Sequence, residues 1–161
     1  MPAEYSANVL QTVAANGSVI FTESPVPCNR GIIYHRDESG IFRLASPATM
    51  GVNCCRQCCC SGFPEAVYRV SFGANIAIPT DPAGTVEAIS LALTIDGEID
   101  PSSTMILTPT AVGEFGNVST DILVAVPCIC RCSSVSVRNT STQPVSVQNA
   151  NLVIDYVGIR R

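Results

Sequence analysis

Cysteine is the residue through which this chain could do most chemistry, and eight of its nine cysteines fall in two short runs. Cys54, Cys55, Cys58, Cys59 and Cys60 form the first; Cys128, Cys130 and Cys132 form the second. Eight thiols permit four disulfides, or two four-thiolate metal sites. Cys55-x-x-Cys58 has the spacing of a zinc-ligand pair, but structural zinc sites draw on two well-separated pairs and no second C-x-x-C follows. Cys128-x-Cys130-x-Cys132 alternates, so on a strand all three thiols would point to one side. Disulfides, zinc thiolates and buried thiols are all open readings of these eight residues. A disulfide across a loop of this length would contribute ~3–4 kcal/mol by constraining the unfolded chain. Cys28 stands alone in a different segment. It reads as a small buried hydrophobe, or as a thiol for an intermolecular bridge.

Other chemistry is sparse. His35 is the only histidine, so any Cys-His pair would need it. It sits in the polar run Tyr34–Glu38, where a solvated turn residue is the plainer reading. No nucleophile elbow, zincin helix or phosphate-binding glycine loop is present. Asp37, Glu38, Asp96, Glu98 and Asp100 gather near turns without the spacing of a calcium loop; solvated turn residues explain them. Asn16, Asn117 and Asn139 each open a glycosylation triplet, a pattern common by chance. No enzyme is expected.

The elements that must position the cysteines are strands. Apolar residues make up 47% of the 161 residues and charged residues only 14%. Ser, Thr, Asn and Gln must therefore form much of the polar surface, as suits subunits that pack against copies of themselves. The net charge is -4 and every basic residue is Arg, a poor basis for binding nucleic acid. No stretch approaches the ~18–20 apolar residues of a membrane span, and the N-terminus lacks the basic and apolar regions of a secretion signal. Synthesis in the cytoplasm is expected, with no membrane partner.

Apolar residues recur with a period of two. Ser6–Thr22 reads as two strands around the turn Ala15-Asn16-Gly17, and Pro25-Val26-Pro27-Cys28 breaks the pattern. Gly31–Tyr34 and Ile41–Leu44 flank the polar turn His35–Gly40. Tyr68, Val70, Phe72, Ala74, Ile76 and Ile78 mark one face of a long half-buried strand. Leu91, Leu93 and Ile95 lead into the tight-turn dipeptide Asp96-Gly97. Met105 and Leu107, then Val118–Val126, Ser134–Arg138 and Val145–Val157, complete the set. In the last strand the apolar phase changes at Asn149-Ala150-Asn151, the mark of a β-bulge or of burial on both faces. Eight to ten short strands imply an all-β antiparallel β-sandwich or jelly roll. One domain over 1–161 is expected, with 1–30 supplying N-terminal strands and a connection and 31–161 the body.

Ser39-Gly40-Ile41-Phe42 with Val67-Tyr68-Arg69-Val70-Ser71-Phe72 resembles the paired motifs of the complement and TNF-like jelly rolls. Ile89–Leu93 and Ile95-Asp96-Gly97 follow where that family places its next strand and turn. Val135–Thr140 and Val145–Val157 look most like the C-terminal heads of bacterial collagen-like exosporium glycoproteins. This chain lacks their Gly-X-Y stalk and adds the cysteine clusters. The resemblance implies a TNF-like jelly roll with both cysteine-rich connections at one end, where the clusters would meet. It also implies a homotrimer or larger assembly; in a trimer the sheet of the last strand faces the threefold axis, placing Tyr156, with Phe72, at the interface.

The combined reading is a non-enzymatic structural or display protein that assembles with itself. Its expected setting is a phage virion, as a head-decoration or fibre-head subunit beside capsid proteins, since lysis would release a cysteine-rich chain without a signal. A spore or cell-surface coat or appendage is the alternative, and a zinc-binding recognition module a second one.

Overall fold

The computed structural model describes residues 2–28, 31–36, 38–46, 65–127 and 132–160. Twelve strands run through them: β1 (Pro2–Ala7), β2 (Gln11–Val13), β3 (Glu23–Val26), β4 (Ile33–His35), β5 (Phe42–Leu44), β6 (Glu65–Ala77), β7 (Ile89–Ile95), β8 (Glu98–Ile99), β9 (Met105–Leu107), β10 (Gly116–Pro127), β11 (Ser133–Asn139) and β12 (Val145–Arg160). They form two six-stranded sheets, joined by antiparallel pairing throughout. One runs β10-β6-β12-β1-β3 with β2 also on β12; the other runs β4-β5-β11-β7-β8 with β9 on β7. Connections that pass repeatedly between the sheets make this a jelly roll.

The alternation of β6 sets the pattern. Ala66, Tyr68, Val70, Phe72, Ala74 and Ile76 face inward and are buried, while Arg69 is exposed on the outer face. β10 and β12 flank β6 along most of its length. Leu91, Leu93, Val135 and Val137 line the facing sheet. Between the sheets lies an aromatic cluster. The Tyr5 ring is 4.7 Å from Phe42 and 5.0 Å from His35, and His35 stacks on Phe42 at 4.4 Å. Phe21 packs edge-on to Phe42 and Phe72.

Two backbone devices fit the strands to this core. Asp96 (φ 52°) and Gly97 (φ 87°) are both left-handed and close the β7–β8 hairpin, as a two-residue hairpin requires. Asn149 (φ 53°) carries a bulge between Gln148 and Asn151. Val145 and Val147 are buried before it, Ala150, Leu152 and Ile154 after it. The extra residue restores the inward phase.

Asn139 holds the end of the sandwich opposite the cysteine connections. Its side chain is fully buried, which removes it as a glycan acceptor. Its Nδ2 donates to the carbonyls of Val13 (3.0 Å) and Gln143 (2.9 Å), and its Oδ1 accepts from the Ser141 amide at 2.8 Å. The turn around Asn16, β2 and the β11–β12 connection are thereby tied together.

The strands depart from the sequence pattern at several points. Before the Asn16 turn there are two strands, β1 and β2; after it Ser18 and Phe21 make only isolated bridges. Pro25 does not break a strand but lies within β3, the outermost strand of its sheet, where a missing N–H costs no ladder bond. His35 is not a solvated turn residue. It is the last residue of β4, and strand parity turns its ring inward onto Phe42. Phe72 is a core residue, only 2% exposed, so it has no surface to offer a second subunit. Asp96 accepts the Ser134 amide, and Asp100 accepts the Ser102 amide at the short 3-10 turn Pro101–Ser103.

Two outcomes follow. Asn139→Ala removes the side-chain partner of the Ser141 amide and of the Val13, Ala14 and Gln143 carbonyls and should lower stability by about 3 kcal/mol in urea unfolding followed by circular dichroism. Burial first, and then the charge of Cys28, push the Tyr5 hydroxyl up to about 12. A raised value makes its contribution fully present below pH 10 and lost as pH rises toward 12. Melting temperature should fall over that window, and fall less in Tyr5→Phe.

Candidate functional site

The strand register fixes where both cysteine-bearing connections attach. β5 ends at Leu44, paired with Ser133 at the start of β11. β6 begins at Glu65, paired with Pro127 at the end of β10 and with Arg160 near the end of β12. The first connection therefore runs from β5 to β6, and the second from β10 to β11, between strand ends that adjoin within each sheet. Cys132 immediately precedes β11 and is half-buried. It shares a recess with Asp96, Pro127 and Ser133, drawn from both sheets. Cys54, Cys55, Cys58, Cys59, Cys60, Cys128 and Cys130 lie outside the described residues. Cys28 is in another place, half-buried against the core near Tyr5.

Tyr68 ties the two sheets at this end. It sits on β6 near the end of the first connection and is fully buried. Its hydroxyl crosses the sandwich to the carbonyl of Ala45, just past β5, and lies 3.5 Å from that of Ile32. The Ala45 amide in turn donates to Ile32 at 2.8 Å. Tyr156 packs edge-on against Tyr68, with 5.5 Å between ring centroids. On the solvent side Arg160 pairs with Glu65. At the far corner the Asp96 and Ser134 backbones bond at 2.8 Å, fixing the start of β11 to the β7–β8 turn.

The outer face of the β10-β6-β12 strands carries a second feature. Leu123, Arg69 and Asp155 fall in one cross-strand row. Arg69 Nε donates to both Asp121 carboxylate oxygens, at 3.0 and 2.9 Å, its Nη2 donates to Oδ2, and Ser71 Oγ donates to Oδ1 at 3.1 Å. Hydrogen bonding to Arg69 holds the Asp121 carboxyl below its ordinary range and raises Arg69. A groove of about 630 Å³ runs beside this pair, lined also by Tyr156 and Val157. Leu123 is 66% and Val157 59% exposed on its rims. Tyr156 is half-buried here, against the core on one side and the groove on the other. Sequence reading missed the Arg69–Asp121 pair because the residues lie 52 positions apart. Their matching outward parity on β6 and β10 is the one signal that could have found it.

Tyr68→Phe leaves the Ala45 carbonyl without its buried donor and should cost about 1–3 kcal/mol in denaturant unfolding. Asp121→Asn tests the outer face. A lowered carboxyl adds stability above its ordinary range near pH ~4 that is lost on further acidification. The variant should melt lower at neutral pH, and its difference from the parent protein should shrink as pH falls below the ordinary carboxylate range.

No protein-family model matches the sequence, and no curated protein matches it. Solved structures do. The Eiger TNF of S. frugiperda superimposes with a TM-score of 0.61 at 11% identity, over 98% of this chain and 93% of that one. Pika GITRL gives 0.47 at 9% identity over 98% and 97%. The PRD1 vertex protein P5 gives 0.48 at 10% identity over 98% and 96%. At such low identity the likeness to the Eiger protein establishes one thing: the sandwich is a TNF-like jelly roll.

Proposed function

We propose that this chain is a non-enzymatic display subunit that assembles with itself, in a virion, as a head-decoration or fibre-head protein. The observation that carries self-assembly is the outer face of β10-β6-β12. It combines exposed Leu123 and Val157, half-buried Tyr156 and an Arg69–Asp121 pair that neutralises itself. A face with such exposed apolar groups set beside a paired Arg69–Asp121 favours packing against another protein surface. A homotrimer that buries this face is the assembly we infer.

The cysteines complete the reading. Four strand ends bring the two connections to one end of the sandwich, and we infer that the clusters meet there and lock that end. Oxidation of the thiols after release from a cell suits a virion, because disulfides persist in such surroundings. The non-catalytic reading is supported by the state of His35. Its Nε2–H donates to the Ser39 carbonyl at 2.9 Å and its ring is stacked on Phe42, which commits the sole imidazole to packing.

Size-exclusion chromatography with light scattering tests the assembly. The expected mass is three times the 16.9 kDa of one chain, and Leu123→Arg should yield monomers with an unchanged far-ultraviolet spectrum. A stable monomer of the parent protein at micromolar concentration contradicts the reading.

A further inference from the structure

The opposite sheet carries a site of different chemistry, independent of the assembly reading. β4 and β5 form a hairpin at the edge of the β4-β5-β11-β7-β8 sheet. Tyr34 pairs directly with Arg43, and both side chains point outward, because His35 and Phe42 between them and their neighbours point inward. Arg36 and Ile41 occupy the next outward positions. With Ser39 these four line a concavity of about 440 Å³, within the range of small-ligand sites. Tyr34 is 63% and Ile41 53% exposed.

Two features set this concavity apart. First, among the described residues neither Arg36 nor Arg43 has a carboxylate partner, although acidic groups outnumber basic ones in the chain, 13 to 9. Two guanidiniums on one small face, with no carboxylate partner among the described residues, offer their donors to an anion. Second, the turn that presents them is braced from within. His35 bonds the Ser39 carbonyl, the Ser39 amide bonds the Arg36 carbonyl at 3.1 Å, and Ser39 Oγ accepts the Ile41 amide at 3.0 Å. The stacked Phe42 ring backs the turn.

We propose that this hairpin face binds a carboxylate-bearing sugar. A guanidinium fork matches a carboxylate with two parallel hydrogen bonds. The exposed Tyr34 ring offers a flat apolar face to the C–H side of a pyranose, with Ile41 extending it. The net charge of -4 and the exposed Glu38 beside the turn disfavour a polyanion such as nucleic acid. A single compact anionic group on a ring suits what the site presents.

Isothermal titration of the full chain with glucuronate and with N-acetylneuraminate tests this, with glucose and inorganic phosphate as comparators. Saturable millimolar binding of at least one sugar acid, and none of glucose, is expected. Arg43→Gln and Tyr34→Ser should each weaken it about tenfold or more, the loss of one charge-assisted or stacking contact. Arg160→Gln, on the other sheet, should leave it unchanged. Thermal unfolding verifies that each variant folds, and Arg36→Gln replaces Arg43→Gln if that variant does not. No saturable sugar-acid binding overturns the proposal. So does phosphate binding as tightly as the sugar acid, or binding that survives the Tyr34 and Arg43 substitutions.

Discussion

A buried tyrosine hydroxyl joins the two sheets where both cysteine-bearing connections begin. Tyr68 can reach the Ala45 carbonyl only because β6 lies opposite β5 at that end of the sandwich. The same arrangement sets Leu44 beside Ser133 in one sheet and Glu65 beside Pro127 in the other. An unpaired hydroxyl or carbonyl in this core would carry a desolvation cost. The bond therefore favours one alignment of the sheets over its neighbours. Every strand end at the cysteine side inherits its position from that alignment.

Strand parity distributes the remaining chemistry. A shift of one residue along β6 would send Arg69 into the core and Tyr68 to solvent. The bulge at Asn149 keeps β12 in phase across its length, so that Ile154 stays inside and Asp155 outside. The outer face of β10-β6-β12 and the Tyr34–Arg43 face thus point away from each other on opposite sides of the sandwich. One sets exposed apolar side chains beside the Arg69–Asp121 pair; the other presents Arg36 and Arg43, which have no carboxylate partner among the described residues. A subunit that covers the first with copies of itself leaves the second turned outward.

Much of this was legible in the residues. The long alternation in β6, the Asp96-Gly97 hairpin and the phase change at Asn149–Asn151 all lie within short windows, where local pattern and backbone preference act together. What local windows cannot hold is long-range pairing. β3 is a strand despite Pro25 because β1 supplies its one neighbour among the described residues. His35 turns inward because β5 lies across from it. Asn139 reads as one more polar turn residue until β2 and the Asn16 turn close over it. The hydroxyl of Tyr68 looks like an ordinary aromatic's polar tip until the facing sheet is in place. The order of the cysteine runs between strands was readable; the thiol chemistry was not, since residue spacing leaves both disulfide and metal pairings open.

The central claim is that sheet alignment brings the two cysteine runs together at one end. Mild oxidation of the reduced protein, alkylation and non-reducing trypsin digestion test it directly. With arginine as the sole basic residue, cleavage after Arg43, Arg56, Arg69 and Arg131 separates Cys54 and Cys55, then Cys58 to Cys60, then Cys128 and Cys130, from Cys132. The account predicts disulfide-linked peptides that join a cysteine of the first run to one of the second. Linkage confined within the first run, or running only to Cys28, would contradict it.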